Sequence, residues 1–249
     1  MYKNKRIGVV VPAYNEEKFI ATVIGRIPEY IDLIYLIDDA SMDNTGEVAS
    51  KLAANNQEKV RVIRREQNGG VGRAITIGYK SCLEDNIDIA VVMAGDNQMD
   101  PAQLPRLLDP ILESKADYTV GDRLSNLKHM KGMSYWRRLG NLILRWLTRI
   151  AAWNFSLSDP QNGFTAVTSQ MLLRLDLENI YPRYGYCNDV LVKLAAARAR
   201  IMQIPMPAVY GKEKSKIRYW HYIPSVSWLL FRDFLWRIKI SLLRSNKSC

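Results

Sequence analysis

An α/β fold with a mostly parallel sheet flanked by helices is predicted by three features of the chain. Short apolar runs of strand length alternate with helical patterns through the first 115 or so residues. The runs are continuous rather than alternating, as in strands buried on both faces. Each is followed by a polar loop, and ligands on open α/β sheets sit at the carboxyl ends of the strands.

In chain order, strands are expected at 7–11, 31–37, 60–63 and 87–93, and helices at about 15–27, 43–54, 70–84 and 101–114. The four intervening loops are Pro12-Ala13-Tyr14-Asn15-Glu16-Glu17, Asp38 to Thr45, Asn68-Gly69-Gly70-Val71-Gly72-Arg73-Ala74, and Gly95-Asp96-Asn97-Gln98-Met99-Asp100. Asn15, Asp43 and Asp100 at these places also suit helix capping. Asn68–Gly72 opens a helix, so it serves either as a tight turn or as a source of N–H groups for a phosphate; it lacks GxGxxG spacing. A fifth strand is expected over 117–121. Residues 132–154 then read as a long helix with Arg137, Arg138, Arg145 and Arg149 on a basic face. After a polar stretch at 158–164 come a helix near 188–199, an edge strand over 201–210 marked by Pro205 and Pro207, a basic loop at 212–218 and a final helix over 223–243.

The formal charge of +10 is unevenly placed. Residues 1–125 carry 15 Lys and Arg against 19 Asp and Glu, and residues 126–249 carry 20 against 6. All six Trp lie in the second half. With 48% hydrophobic residues the chain has enough apolar material for a core, which excludes a disordered class. No uncharged run approaches the roughly 18–20 residues that span a bilayer. The basic N-terminus leads into a strand-like run rather than an export signal. Cys82, Cys187 and Cys249 are odd in number and far apart, which suits a reducing cytoplasmic setting without disulfides.

Taken together, Val10 to Glu16, Ile37-Asp38-Asp39-Ala40-Ser41 with Asp43, Asn68 to Ala74, Gly95 to Pro101, Gly121-Asp122-Arg123, Asp159-Pro160-Gln161-Asn162-Gly163-Phe164 and Lys214-Ser215-Lys216 resemble the family 2 glycosyltransferases of the GT-A (Rossmann-like) fold. Within them the likeness is to the dolichol-phosphate mannose synthase-like branch and extends from about residue 5 to about residue 240. The resemblance implies an inverting transfer of a sugar from a nucleotide-sugar donor to a polyprenyl (dolichyl or undecaprenyl) phosphate. Pro12, Tyr14, Asn15, Glu16 and Asp39 are then the nucleotide-sugar residues, with Lys216 and less surely Lys214 reaching the diphosphate. Asp96 and Gln98 are the implied ligands of Mg2+ or Mn2+. The first acid of the family's D-x-D is replaced here by Ala94. Arg123, Arg137 and Arg138 match acceptor-phosphate positions, and Asp96, Arg123 and Asp159 form the implied catalytic set.

A phosphate oxygen is already a nucleophile, since a phosphate monoester carries about −1.5 to −2 charges at neutral pH. Transfer to the hydroxyl of a glycan or glycolipid instead demands a carboxylate base, for which Asp159 or Asp189 is the candidate. A catalytically degenerate membrane scaffold is a third reading, motivated by Ala94. The expected organisation is a catalytic domain over 1–210, with 1–125 the nucleotide and metal half and 126–210 the acceptor half, followed by a basic loop and amphipathic helix over 211–249. At 100° per residue, Arg232, Asp233, Arg237, Lys239 and Arg244 fall on an arc of about 160°, opposite Leu230, Phe231, Phe234, Leu235, Ile238 and Leu242. That division suits a helix lying in the headgroup layer on the cytoplasmic face of a membrane; packing on the sheet is the alternative. The Trp-bearing helices also suit pairing in a homo-oligomer. Nucleic acid is disfavoured because the half with the loop motifs is acidic.

Overall fold

The computed structural model describes residues 1–125, 135–207 and 219–245; within these, the side chains of 135–137, 219, 244 and 245 are outside the description. A seven-stranded sheet runs in the order β3-β2-β1-β4-β6-β5-β7. Its strands are β1 (Ile7–Ala13), β2 (Leu33–Asp38), β3 (Val60–Arg64), β4 (Ile89–Val92), β5 (Tyr118–Asp122), β6 (Thr165–Thr168) and β7 (Ile201–Pro205). All neighbours are parallel except β6, which runs antiparallel to both β4 and β5. The expected strands are present, with β7 at the edge but ending at Pro205. The strand that sequence reading missed is β6, because Thr-Ala-Val-Thr is four residues long with no apolar run.

The helices are α1 (Ile20–Arg26), α2 (Thr45–Asn55), α3 (Val71–Glu84), α4 (Leu104–Leu112), α5 (Tyr135–Ala152), α6 (Ser169–Arg174), α7 (Tyr186–Ala196) and α8 (Tyr219–Ser245). Side-chain alternation in β1 feeds two cores. Val10 packs with α3, α5, α6, α7 and α8 on one face, while Val9 and Val11 pack with α1, α2 and α4 on the other. One continuous sheet therefore carries β1–β5 from the acidic half and β6 and β7 from the basic half, which brings the loops of both halves to a shared edge.

The C-terminal helix forms, but the two-sided division expected of it does not. It packs on α5 and α7, so Val226, Leu229, Leu230 and Asp233 turn inward and are buried. Burying each aliphatic member is worth roughly 1.5–3 kcal/mol. Trp228, Phe231, Leu235 and Leu242 face outward and are exposed. Leu230 and Phe231, placed together in the sequence reading, thus lie on opposite sides, and Asp233 is a buried acid rather than a solvated one. The support is a pair of helices, not the sheet. Among the described residues, no helix is long and apolar enough to cross a membrane.

Burial, with Asp189 adding to it, pushes the Asp233 carboxyl up to about 6. An acid with a raised folded-state value binds its proton more tightly folded than unfolded, so stability is lost as pH rises from about 4 to about 6. Asp233→Asn is accordingly expected to raise Tm above pH ~7 and to leave it unchanged near pH ~4. Thermal melts at the two pH values check this; an equal shift at both would refute the assignment.

Candidate active site

The site is built from the loops at the carboxyl ends of β1, β2, β4 and β5, closed by the segments before β6 and α7. At the β1–β2 side, backbone groups of one loop are held by side chains of the other. Asn15 N–H donates to Ser41 Oγ (3.0 Å), Glu16 N–H to Thr45 Oγ1 (2.8 Å), and Met42 N–H to Asn15 Oδ1 (2.9 Å). Asn15 holds the left-handed φ of 54° that Asn tolerates. Tyr14, Asn15 and Glu16 are half-buried at this mouth. Pro12 is buried and its carbonyl accepts from Gly95 N–H (3.2 Å), tying the β1 loop to the β4 loop.

Asp39, expected at the nucleotide, is bonded to the Gly-rich turn and to Arg65. Its Oδ1 accepts from Gly69 N–H (3.0 Å) and from Arg65, and its Oδ2 from Gly70 N–H (2.7 Å). Both oxygens and the N–H groups of Gly69 and Gly70 are thereby spent on each other, so the Gly-rich turn does not offer those two groups to a phosphate. The turn needs glycine for packing. Gly70 has φ 91°, with the carbonyl of Pro182 2.7 Å from where a Cβ would sit, and a Cβ on Gly72 would overlap the carbonyl of Tyr181.

Beyond β4, Asp96 Oδ1 accepts from Gln98 N–H (3.1 Å), a local turn that leaves both residues on the wall of one cleft with Arg123 and Asn162. Asp100, expected as a helix cap, caps the next helical turn through Ala102 N–H (3.2 Å) and pairs with Arg26 (3.2 Å). Among the described residues no three His, Cys, Asp or Glu cluster as a metal cage. One carboxylate plus an amide oxygen in an open cleft fits a hard divalent ion that completes its shell with substrate phosphate and water.

Arg123, in the loop after β5, meets Asp159 in a bidentate pair: Nε to Oδ2 at 2.7 Å and Nη2 to Oδ1 at 3.0 Å, with Arg123 N–H adding a third bond at 3.0 Å. The Asp159 side chain is fully buried. The buried carboxylate thus orients the Arg123 guanidinium on the cleft wall. Asp189 is likewise buried and accepts from Tyr181 N–H (2.6 Å) and Lys193 Nζ (2.7 Å).

Asp96 and Arg123 also line a second cavity of about 190 Å3, shared with Asn141 of α5, Gln161, Tyr186 and Asn188 of α7, and Tyr222 of α8. Arg138, exposed on α5, sits one turn before Asn141. The Arg137 side chain, Lys214 and Lys216 lie outside the described residues. Burial pushes the Cys187 thiol up to about 12 and holds the Tyr186 phenol well above its ordinary value. At neutral pH the first is therefore not a thiolate nucleophile and the second stays a proton donor. Asn141, Tyr186 and Tyr222 were not singled out from sequence; for Asn141 the signal was its spacing of three and four from Arg138 and Arg137. Gln161 is notable because neither its amide oxygen nor its amide nitrogen has a partner.

A mixed sheet of this order, with an acidic turn and an arginine in a cleft at the strand ends, defines an α/β protein with a polar ligand cleft. The pattern of Glycosyl transferase family 2 matches residues 8–178. The chain is 32% identical over 219 residues to the UDP-N-acetylglucosamine–dolichyl-phosphate N-acetylglucosaminyltransferase of Methanococcus voltae, covering 83% of this chain and 87% of that one. It is 30% identical over 213 residues to the undecaprenyl-phosphate mannosyltransferase of Micrococcus luteus, covering 82% and 84%. In fold it is similar to glucosyl-3-phosphoglycerate synthase of Mycobacterium tuberculosis, solved with Mn2+, UDP and phosphoglyceric acid: TM-score 0.69, 22% identity, 94% of this chain and 78% of that one. The chain belongs to glycosyl transferase family 2 and is a glycosyltransferase.

Proposed function

We propose that this enzyme transfers a sugar with inversion from a nucleotide-sugar donor to a polyprenyl phosphate, working as a peripheral protein on the cytoplasmic face of a membrane. The observation that carries the acceptor is the fate of the two candidate bases. Asp159 and Asp189 are both buried and ion-paired, with Arg123 and Lys193 respectively, which favours an acceptor that needs no base. A phosphate acceptor needs none. The relatives above, dolichyl-phosphate and undecaprenyl-phosphate transferases, support the same acceptor class.

In this reading the acceptor phosphate is drawn to Arg123, which Asp159 orients, with Arg138 and Arg137 at the start of α5. An acceptor oxygen attacks the anomeric carbon, the bond from that carbon to the diphosphate oxygen breaks, and the nucleoside diphosphate leaves with the electron pair. Configuration inverts because attack and departure are in line. Asp96 and Gln98 would hold Mg2+ or Mn2+, which supplies charge neutralisation for the diphosphate. Tyr14, Asn15 and Glu16 contact the nucleotide, and Asp39 shapes the loop beside it. We assign donor handling to residues 1–125 and acceptor handling to 126–210, two functional halves on one sheet.

Membrane placement is supported by the outward faces of α5 and α8. Trp146, Ile150, Trp153, Trp228, Phe231 and Leu235 are all exposed there, and Arg149 stacks on Trp146 at 5.0 Å. Aromatic and basic side chains of this kind suit the headgroup layer, where a polyprenyl chain must stay anchored. The second reading is transfer to a hydroxyl, favoured by the similar solved structures that hold phosphoglyceric acid. Incubation with nucleotide-sugar donors, divalent ion and polyprenyl phosphate is expected to yield a lipid-linked sugar phosphate. No such product under any common donor rejects the proposal.

A further inference from the structure

The Gly-rich turn Asn68–Gly72 has given two of its N–H groups to Asp39. On its other side it meets the chain that leads into α7. Arg73 N–H donates to the Pro182 carbonyl (3.0 Å). The same carbonyl lies 2.7 Å from where a Cβ on Gly70 would sit, and the Tyr181 carbonyl and Tyr186 Cβ occupy the place of a Cβ on Gly72. Two stretches of backbone are therefore in direct contact, with no side chain between them to yield.

The partner stretch walls the 190 Å3 cavity of the transfer site. Tyr184, Gly185 and Tyr186 line it together with Val71, Arg123 and Asn141. The stretch is also tied at its flanks: Glu178 pairs with Arg73 at 3.3 Å and with Lys80, and Tyr181 N–H donates to Asp189 Oδ2 at 2.6 Å. The Gly-rich turn is the support that reaches the donor side. Asp39, just after β2, accepts from Gly69, Gly70 and Arg65 through its carboxylate and from Asn68 Nδ2 through its carbonyl (3.2 Å). Its own N–H donates to the Ala13 carbonyl at the end of β1 (2.9 Å). A charged acceptor that holds two successive N–H groups fixes a turn more firmly than neutral bonds do.

We propose that the Gly-rich turn is a spacer that places the acceptor wall relative to the donor loops, with Asp39 and Gly72 as positioning residues for the acceptor. Asp39 sets the turn. The side-chain-free backbone at Gly70 and Gly72 then sets Pro182 and Tyr181, and through them Tyr184 to Tyr186 in the cavity. The inference rests on the reading above that this cavity receives the acceptor, and it gives the motif a task in transfer through packing rather than through a phosphate. Two simpler accounts lead to different kinetics. Packing that serves the fold alone lowers Tm and singles out neither substrate. An Asp39 that serves the nucleotide alone raises the donor KM and leaves the acceptor KM where it was.

The test is initial-rate kinetics of the full chain with polyprenyl phosphate and the nucleotide sugar that wild type turns over, each varied while the other saturates, with Tm measured alongside. Gly72→Ala is expected to raise the acceptor KM about ten-fold or more and to keep the donor KM within about two-fold, because a misplacement of about 1 Å in a positioning contact reaches or exceeds that scale. Asp39→Asn keeps the side-chain volume and turns an amide donor toward the N–H of Gly69 or Gly70. It is expected to raise the acceptor KM about ten-fold whatever it does to the donor KM, and it carries the test if Gly72→Ala does not fold. An acceptor KM in Asp39→Asn equal to that of wild type overturns the proposal, as does an equal rise of both KM values in Gly72→Ala. A wild type that moves no sugar to polyprenyl phosphate removes the acceptor reading, and the inference with it, before any variant is compared.

Discussion

Asp96→Ala is expected to lower sugar transfer by about three orders of magnitude or more, since a divalent ion at a diphosphate supplies several kcal/mol and each 1.4 kcal/mol or so is a factor of ten. The fold should survive. Asp96 is half-buried in a loop, and its Oδ1 accepts a local hydrogen bond from Gln98 N–H. Circular dichroism and vesicle binding should therefore match wild type while activity is lost, and chelation of divalent ions should reproduce the loss in wild type. Asp100→Ala is the informative control. It removes a helical cap and the Arg26 pair, so it should cost about 1 kcal/mol of stability and leave transfer within a few-fold. If Asp100→Ala is the variant that abolishes activity, or if turnover survives chelation, the assignment of Asp96 and Gln98 is wrong.

Asp159→Asn carries the second large effect. Removing one partner of a buried ion pair leaves the other charge uncompensated, at a cost of about 3–5 kcal/mol where both are buried. Arg123 is about one-fifth exposed, so the stability loss should fall at or below the lower end of that range. Activity should fall by about 10²–10³, the scale of losing one preorganised electrostatic contact. The two effects separate in the double variant Arg123→Met with Asp159→Leu. Apolar replacement of the pair is expected to restore Tm without restoring transfer. A double variant that recovers both would make the pair structural and remove Arg123 from acceptor binding.

The comparison of sequence with structure turns on which residues need a partner. Strands β1 to β5 were legible because doubly covered strands leave continuous apolar runs, and the loops after them were legible because each must end in polar residues. Strand β6 was not, since four residues of Thr-Ala-Val-Thr carry no periodicity; its place is dictated by pairing with β4 and β5. Residue types at the site were also legible, but their commitments were not. Asp39 reads as a nucleotide contact and the Gly-rich turn as either a tight turn or a phosphate cradle, and the two are bonded to each other; Asp159 reads as an acid of the site and is bonded to Arg123. A sequence shows a carboxylate and cannot show that its lone pairs are taken. The same limit explains α8. A helical wheel separates charged from apolar residues, yet which arc is buried depends on α5 and α7, and they select an arc that contains Asp233.

The central claim is that this site serves an acceptor that brings its own nucleophilic oxygen. It is tested most directly by offering one donor to three acceptors in parallel: a polyprenyl phosphate, the corresponding polyprenol, and phosphoglyceric acid. Because Asp159 and Asp189 are buried and paired, the sugar is expected on the polyprenyl phosphate alone. Comparable transfer to the alcohol of polyprenol or of phosphoglyceric acid would require a carboxylate base to act in the site, and would contradict the account.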